Sequence, residues 1–142
     1  MGHGVNICCE ACGASEELLL GVGMGIPTLF GDPFVILQRW VDKRRRDRIL
    51  DKLRSNQPAS VSARNNLYIC EPCGKPTSRQ TITVTRDNEL VYESQFRCGK
   101  CRKKLTCVES EAEQKIIEAI LKGPCWECGE KDLAECGQIL WD

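Results

Sequence analysis

The sequence predicts a small α+β fold tied together by cysteine clusters rather than by a large apolar core. Three observations predict it. Eleven cysteines occur in 142 residues, and eight of them fall into four C-x2-C pairs. The stretch between the second and third pairs alternates with period two, the pattern of strands with one face buried. Two other stretches carry helix-start signals followed by apolar residues at helical spacing. The length suits one domain or two small ones sharing a core. The expected organisation is a knuckle and glycine-rich loop over 1–31, a helix over 32–54 and a linker over 55–66. A cysteine-bracketed hairpin follows over 67–108, then a helix and a last knuckle over 109–142.

Cys9 and Cys12 form the first pair, in C-E-A-C-G. Gly13 after the second cysteine lets the backbone turn toward the sulfurs. Cys8 offers the alternative spacing Cys8-x3-Cys12, also compatible with metal ligation. Cys9 is preferred because it matches the other pairs. His3 is the only histidine, and it reads as a disordered terminal residue rather than a ligand. Residues 18–20 are leucines, followed by GVGMGIP. Gly21, Gly23 and Gly25 lack the Lys-Ser or Lys-Thr of a phosphate-binding loop and the βαβ setting of a dinucleotide site, so a structural loop is expected.

Asp32 and Pro33 suit the N-cap and first position of a helix over 33–54. Its first half, with Phe34, Val35, Ile36, Leu37, Trp40 and Val41, should be buried. Its second half keeps only Ile49, Leu50 and Leu53 as an apolar stripe. Lys43, Arg44, Arg45, Arg46 and Arg48 spread around the axis and should face solvent. They are the candidate contact for phosphate or an acidic partner. Asp42, Asp47 and Asp51 supply local counter-charge, so a merely solvated face is the competing reading. SNQPASVSARNN then reads as a polar linker.

The organising stretch is residues 68–107, with Cys70/Cys73 and Cys98/Cys101 at its ends. The spacing C-x2-C-x24-C-x2-C is that of a zinc ribbon. Four thiolates on two tight turns suit a tetrahedral Zn2+. Between them Thr81, Thr83 and Thr85 alternate with Ile82 and Val84. On the return Leu90, Tyr92 and Phe96 alternate with Val91, Glu93 and Gln95. Asp87-Asn88 is turn chemistry at the tip. Residues 102–108 offer a third strand, with Leu105 and Cys107 on one face.

Ser110 and Glu113 have the spacing of a capping box. Ile116, Ile117, Ile120 and Leu121 form one stripe, and Gly123-Pro124 ends the helix. Cys125 and Cys128 make the fourth pair, again C-x-x-C-G. The preferred sites are Cys70, Cys73, Cys98 and Cys101, and then Cys9, Cys12, Cys125 and Cys128, the second joining the chain ends. The alternative couples Cys9/Cys12 with Cys70/Cys73, and Cys98/Cys101 with Cys125/Cys128. Cys107 and Cys136 read as small buried thiols.

No apolar run approaches the length of a membrane span, and no secretion signal is expected at the N-terminus. Cysteines on one short turn do not bridge each other without strain, so a reduced, cytoplasmic, zinc-loaded protein is expected. The formal charge is zero. Four thiolates and one divalent ion sum to about −2 per site, which brings the doubly loaded protein to about −4. Overall charge therefore argues against nucleic-acid binding, and only a local basic patch argues for it.

These features point to a structural-zinc binding module that contacts a protein or nucleic acid, without a small-molecule substrate or a membrane. With all four ligands from protein, no coordination position stays open for catalysis. The alternative is a rubredoxin-like iron or redox protein, because the same knuckles can hold iron. An enzyme is not expected. A deaminase site needs H-x-E or C-x-E before P-C-x-x-C. Pro124 and Cys125 to Cys128 meet the second half, but Cys8 and Glu10 meet the first only by giving up Cys9.

Two resemblances bear on this. The central 40 residues resemble the zinc ribbon of the transcript-cleavage elongation factors, whose hairpin tip carries an adjacent Asp-Glu pair that reaches into RNA polymerase and helps hold a catalytic magnesium. In this chain Asn88 separates Asp87 from Glu89, and Leu105 stands where that family has an aromatic. The tip here reads as a polar turn. The N-terminal C-x-x-C-G, LGVGM-x-x-P, L-Y-x-C-x-x-C-G and the final C-x-x-C-G are similar to small uncharacterised bacterial zinc-ribbon proteins. That resemblance implies a bacterial or phage cytoplasmic setting and no activity.

Overall fold

The computed structural model describes residues 2–22, 37–38, 41–53 and 59–141. The strands are β1 (Gly2–Cys9), β2 (Ser15–Gly21), β3 (Ser60–Ile69), β4 (Pro76–Arg86), β5 (Glu89–Glu93), β6 (Thr106–Cys107) and β7 (Leu133–Trp141). The helices are α1 (Lys43–Lys52) and α2 (Glu113–Lys122). The strands form one sheet in the order β5-β4-β3-β2-β1-β7, with β6 added beside β3. Each named ladder is antiparallel.

The α+β class holds, but the sheet is larger than the three-stranded ribbon that the sequence suggests. The two chain ends supply the difference. β1 lies between β2 and β7 and pairs with both along its length. His3 is therefore a strand residue, opposite Leu20 and Leu140, and not a disordered terminus. Gly4 shows why this strand hides in the sequence. A Cβ there would sit 2.9 Å from Leu19 Cδ2 and 3.1 Å from the Leu18 carbonyl. The glycine permits close strand approach while removing a residue from the hydropathy pattern.

The polar stretch before the ribbon also belongs to the sheet. Residues 60–66 extend β3 and pair with Thr85 to Arg79 of β4, so they are not linker. Val61 and Ala63 alternate inward there, and backbone pairing outweighs the polar side chains between them. At the hairpin tip Asp87 and Asn88 take φ of 50° and 63°, the pair of left-handed residues that a tight two-residue turn requires. The expected third strand shrinks to Thr106–Cys107 beside β3. Leu105 is buried, but Cys107 is exposed, which corrects its reading as a buried thiol.

The start of the expected helix over 33–54 lies outside the described residues. Leu37 and Val41 are buried as its apolar half predicts. The helix is not continuous, however. Asp42, with ψ of 153°, breaks the backbone and caps α1 by accepting from the Arg45 N–H at 3.1 Å. Aspartate bonds local backbone more readily than it continues a helix. Ile49 then anchors α1 on Val61, Ala63, Ile82 and Val84 of β3 and β4.

The capping box of α2 does not form. Ser110–Ala112 make a 3-10 turn, and Ala112 precedes α2 without a side-chain cap. Glu113 is 3% exposed and spends its carboxylate elsewhere. It accepts from the Leu67 N–H at 3.4 Å and from Arg64 Nη2 at 3.3 Å. A buried carboxylate needs a cation and donors more than a helix end needs a cap. Ile117 carries α2 onto Val5, Ile7, Leu18, Leu20 and Leu67.

Candidate metal centres

The four C-x2-C pairs fold into four copies of one turn. In each, the first cysteine N–H donates to a carbonyl five residues on: Ala14 at 2.8 Å, Lys75 at 3.1 Å, Lys103 at 2.8 Å and Glu130 at 2.8 Å. The residue after the second cysteine returns its N–H to the first cysteine's carbonyl, at 2.9 Å from Gly13, 2.7 Å from Gly74, 3.0 Å from Arg102 and 3.0 Å from Gly129. That residue is left-handed in every copy, with φ of 75°, 66°, 65° and 78°. Three are glycine, for which this conformation costs little. Arg102 is the exception and carries about 1 kcal/mol of strain. Arg102→Gly is therefore expected to stabilise the metal-loaded protein by no more than about 0.5 kcal/mol, after the greater freedom of glycine in the unfolded chain is subtracted. Chemical denaturation measures this, and a destabilised variant would contradict it.

The turns meet in pairs. Cys9 and Cys12 come together with Cys125 and Cys128, and Cys70 and Cys73 with Cys98 and Cys101. Within each tetrad the sulfurs lie within 4.8 Å of one another. Sulfur pairs across the two turns approach to 3.7 Å (Cys9–Cys128), 3.8 Å (Cys12–Cys125) and 3.4 Å (Cys70–Cys101). A tetrahedral ion with bonds of about 2.3 Å to sulfur sets edges of about 3.8 Å. The donor set and its spacing thus fit a four-coordinate metal ion at each tetrad.

Ionisation of the thiols agrees with that use. In the central tetrad the backbone N–H groups of Cys101 and Lys100 bring Cys98 down to about 6, against the effect of burial. Burial, reinforced by the neighbouring sulfurs, pushes Cys70 up to about 12. In the terminal tetrad burial opposes ionisation of Cys125. The N–H groups of Cys128 and Glu127 and the thiols of Cys9 and Cys12 outweigh it and bring Cys125 to about 7. The Glu130 N–H favours ionised Cys128, yet burial and the other three sulfurs raise it to about 12. Cys98 and Cys125 thus ionise more readily than an ordinary thiol, whereas Cys70 and Cys128 are held back by burial and the neighbouring sulfurs. Only a cation at the centre lets all four become thiolates together.

Cys8 takes no part in a tetrad. Cys8 and Cys9 are neighbours on β1, so their side chains leave opposite faces of the sheet. Cys9 turns into the core, and Cys8 forms a disulfide with Cys136 of β7. Cys136 sits where the β1–β7 register shifts, between Glu135 opposite Ile7 and Gly137 opposite Asn6. This corrects two expectations, that Cys136 is a buried thiol and that the cysteines are all reduced, because strand pairing brings Cys8 and Cys136 side by side. The period-two pattern of β1 was the sequence signal that separates Cys8 from Cys9.

The basic residues of α1 stand in solvent, with Lys43, Arg44, Arg45 and Arg48 exposed and Arg46 half-buried. Arg45 Nε pairs with Asp42 at 3.3 Å. Sequence reading passed over a second basic run, Arg97, Lys100, Arg102, Lys103 and Lys104, because it is interleaved with metal-type cysteines.

The fold and its sites define a cysteine-rich α+β protein with two four-cysteine clusters able to hold metal ions. Compared with protein-family models, curated proteins and solved structures, the chain matches none. Among the described residues, no helix is long and apolar enough to cross a membrane.

Proposed function

We propose that this protein is a structural-zinc adaptor that binds two Zn2+ ions and contacts a macromolecular partner, a protein or a nucleic acid. The observation that carries this reading is that each candidate site is a closed set of four cysteines. Four protein thiolates saturate tetrahedral zinc, so the ion braces the fold and leaves no position for a substrate. Zn2+ is preferred over other ions because four thiolates in tetrahedral array suit it and it needs no redox partner. The exposed cations Lys43, Arg44, Arg45 and Arg48 of α1 offer one contact for a phosphate-bearing or acidic partner. The hairpin offers another, since Leu90 beside its tip is 61% exposed. The likeness of the ribbon to transcript-cleavage factors makes transcription machinery a candidate partner.

A rubredoxin-like iron protein is the second reading. The backbone N–H of Glu127, 3.4 Å from Cys125 Sγ, supports it to the same degree as zinc, since such donors stabilise thiolate bound to either metal. Native mass spectrometry of protein purified gently from its own cells separates the two. Two zinc ions per chain with a retained partner are expected, and Arg44→Glu/Arg45→Glu/Arg46→Glu should release a partner held through α1. A red protein carrying iron would establish the alternative.

A further inference from the structure

The run RCGKCRKK over residues 97–104 holds five cations and no acid. Arg97, Lys100, Arg102, Lys103 and Lys104 are all exposed. Folding brings two more cations to them from β4 and the turn before it. Lys75, Arg79, Arg97 and Lys100 line one groove of about 220 Å³, whose carboxylates are Glu16 and Glu127. Lys75 is held by Glu16 at 3.3 Å, and Arg97 Nη1 donates to the Arg102 carbonyl at 3.1 Å. No ion pair or hydrogen bond engages the Arg79 or Lys100 side chain among the described residues. At Gly99, in the groove lining, an added Cβ would meet nothing within 4 Å.

Counter-charge for the tetrad does not account for so many cations. The loaded central tetrad carries about −2, and Glu16, Glu71 and Glu127 add three carboxylates nearby. Seven cations stand against them, and a positive surplus remains even when Glu93, which shares a neighbouring recess with Lys104, is counted as a fourth carboxylate. Leu105 is the large apolar residue of the groove lining and is buried, so the groove offers a protein partner little apolar anchor. Among the described residues, the exposed large hydrophobic ones, Leu90 and Leu140, lie elsewhere. Unpaired cations on a rigid polar surface match phosphate contacts instead.

We propose that the groove beside the Cys98–Cys101 turn binds the sugar-phosphate backbone of a nucleic acid, with Arg79 and Lys100 of the groove lining as phosphate contacts and Lys103, exposed on the adjoining turn, as a third. This goes beyond the adaptor reading because it assigns a second surface and a partner class. The groove is separate from α1. Ile82 and Val84 of β4 face α1, whereas Thr77 and Arg79 are of opposite parity and face the other side of the sheet.

Fluorescence anisotropy with labelled single-stranded RNA, single-stranded DNA and duplex DNA tests this across a salt series, with polyglutamate as competitor. Wild-type zinc-loaded protein should bind at least one nucleic acid, with log affinity falling linearly with log salt. Arg79→Glu/Lys100→Glu/Lys103→Glu should weaken binding at least about 10-fold and flatten the salt slope by about 2–3. The α1 triple variant should stay within about 3-fold of wild type. If the charge-reversed variant fails to hold two metal ions, Arg79→Gln/Lys100→Gln/Lys103→Gln should show the same direction with a smaller loss. No binding by wild type at low salt, unchanged binding by the groove variants, or equal displacement by polyglutamate would overturn the proposal. Loss confined to the α1 variant would overturn it while leaving the adaptor reading in place.

Discussion

Chelation is expected to unfold the ribbon before it unfolds the terminal half. The core around the central tetrad is small, with Tyr68, Cys70, Cys98 and Leu105 buried and Phe96 packed on Tyr68 at a ring separation of 5.2 Å. Burying two or three such side chains contributes only about 1.5–3 kcal/mol each. A bound structural ion contributes about 10–16 kcal/mol to a site of this type. Without it, the Cys70 and Cys98 turns are joined by the two-residue strand β6 against β3, the β4–β5 ladder and the Tyr68–Phe96 contact. The terminal tetrad is different, because the long β1–β7 ladder and the Cys8–Cys136 bond also join its two turns. Cys98→Ser should therefore lower the melting temperature far more than Cys128→Ser, although each removes one ligand. Acid acts in the same direction as chelator, since each ligand thiol loses its proton to solvent on binding the metal and, as the pH falls, protons compete with the metal for the sulfur. Circular dichroism with excess chelator, followed by metal counting, reads both effects. An unchanged melting curve in chelator would refute the role of metal in stability.

Reduction of the Cys8–Cys136 bond is expected to weaken metal binding at the terminal tetrad and to leave the central one unchanged. Cys9 and Cys125 are far apart in the chain, and a metal ion that joins them must close that loop. The disulfide, whose ends are 128 positions apart in the chain, closes it in advance. Loop closure on this scale is worth about 4–5 kcal/mol against a fully unfolded chain. Part of that advantage persists without the bond, because β1 and β7 still pair. The remaining effect is expected at about 10-fold in affinity, or about 1.4 kcal/mol. Cys70, Cys73, Cys98 and Cys101 lie within the loop, and their separation along the chain is unaffected by the bond. Competition with a chromophoric chelator, comparing wild type with Cys8→Ser/Cys136→Ser, resolves the two sites by their release order. Equal weakening at both sites, or at neither, would sink the explanation.

The parts of this protein that depend on neighbours in the chain were legible before folding. C-x-x-C-G specifies a turn because glycine accepts the left-handed position after the second cysteine, and Asp87-Asn88 specifies the hairpin tip for the same reason. The period-two run from Thr81 to Thr85 specifies β4 in like manner. Local pattern failed where a residue's partner was distant. Glu113 looked like a helix cap until Arg64 and the Leu67 N–H claimed its carboxylate. Residues 60–66 looked like linker until β4 paired with them. Cys136 looked like a buried thiol until β1 brought Cys8 beside it. Spacing along the chain also left two ways of joining the four cysteine turns. The sheet decides between them by placing β1 next to β7 and the ends of β3 and β4 next to the Cys98 turn. Backbone and side-chain chemistry within a few residues is set by sequence. The meeting of groups a hundred residues apart is set by strand order, which only the cooperative burial of the whole sheet selects.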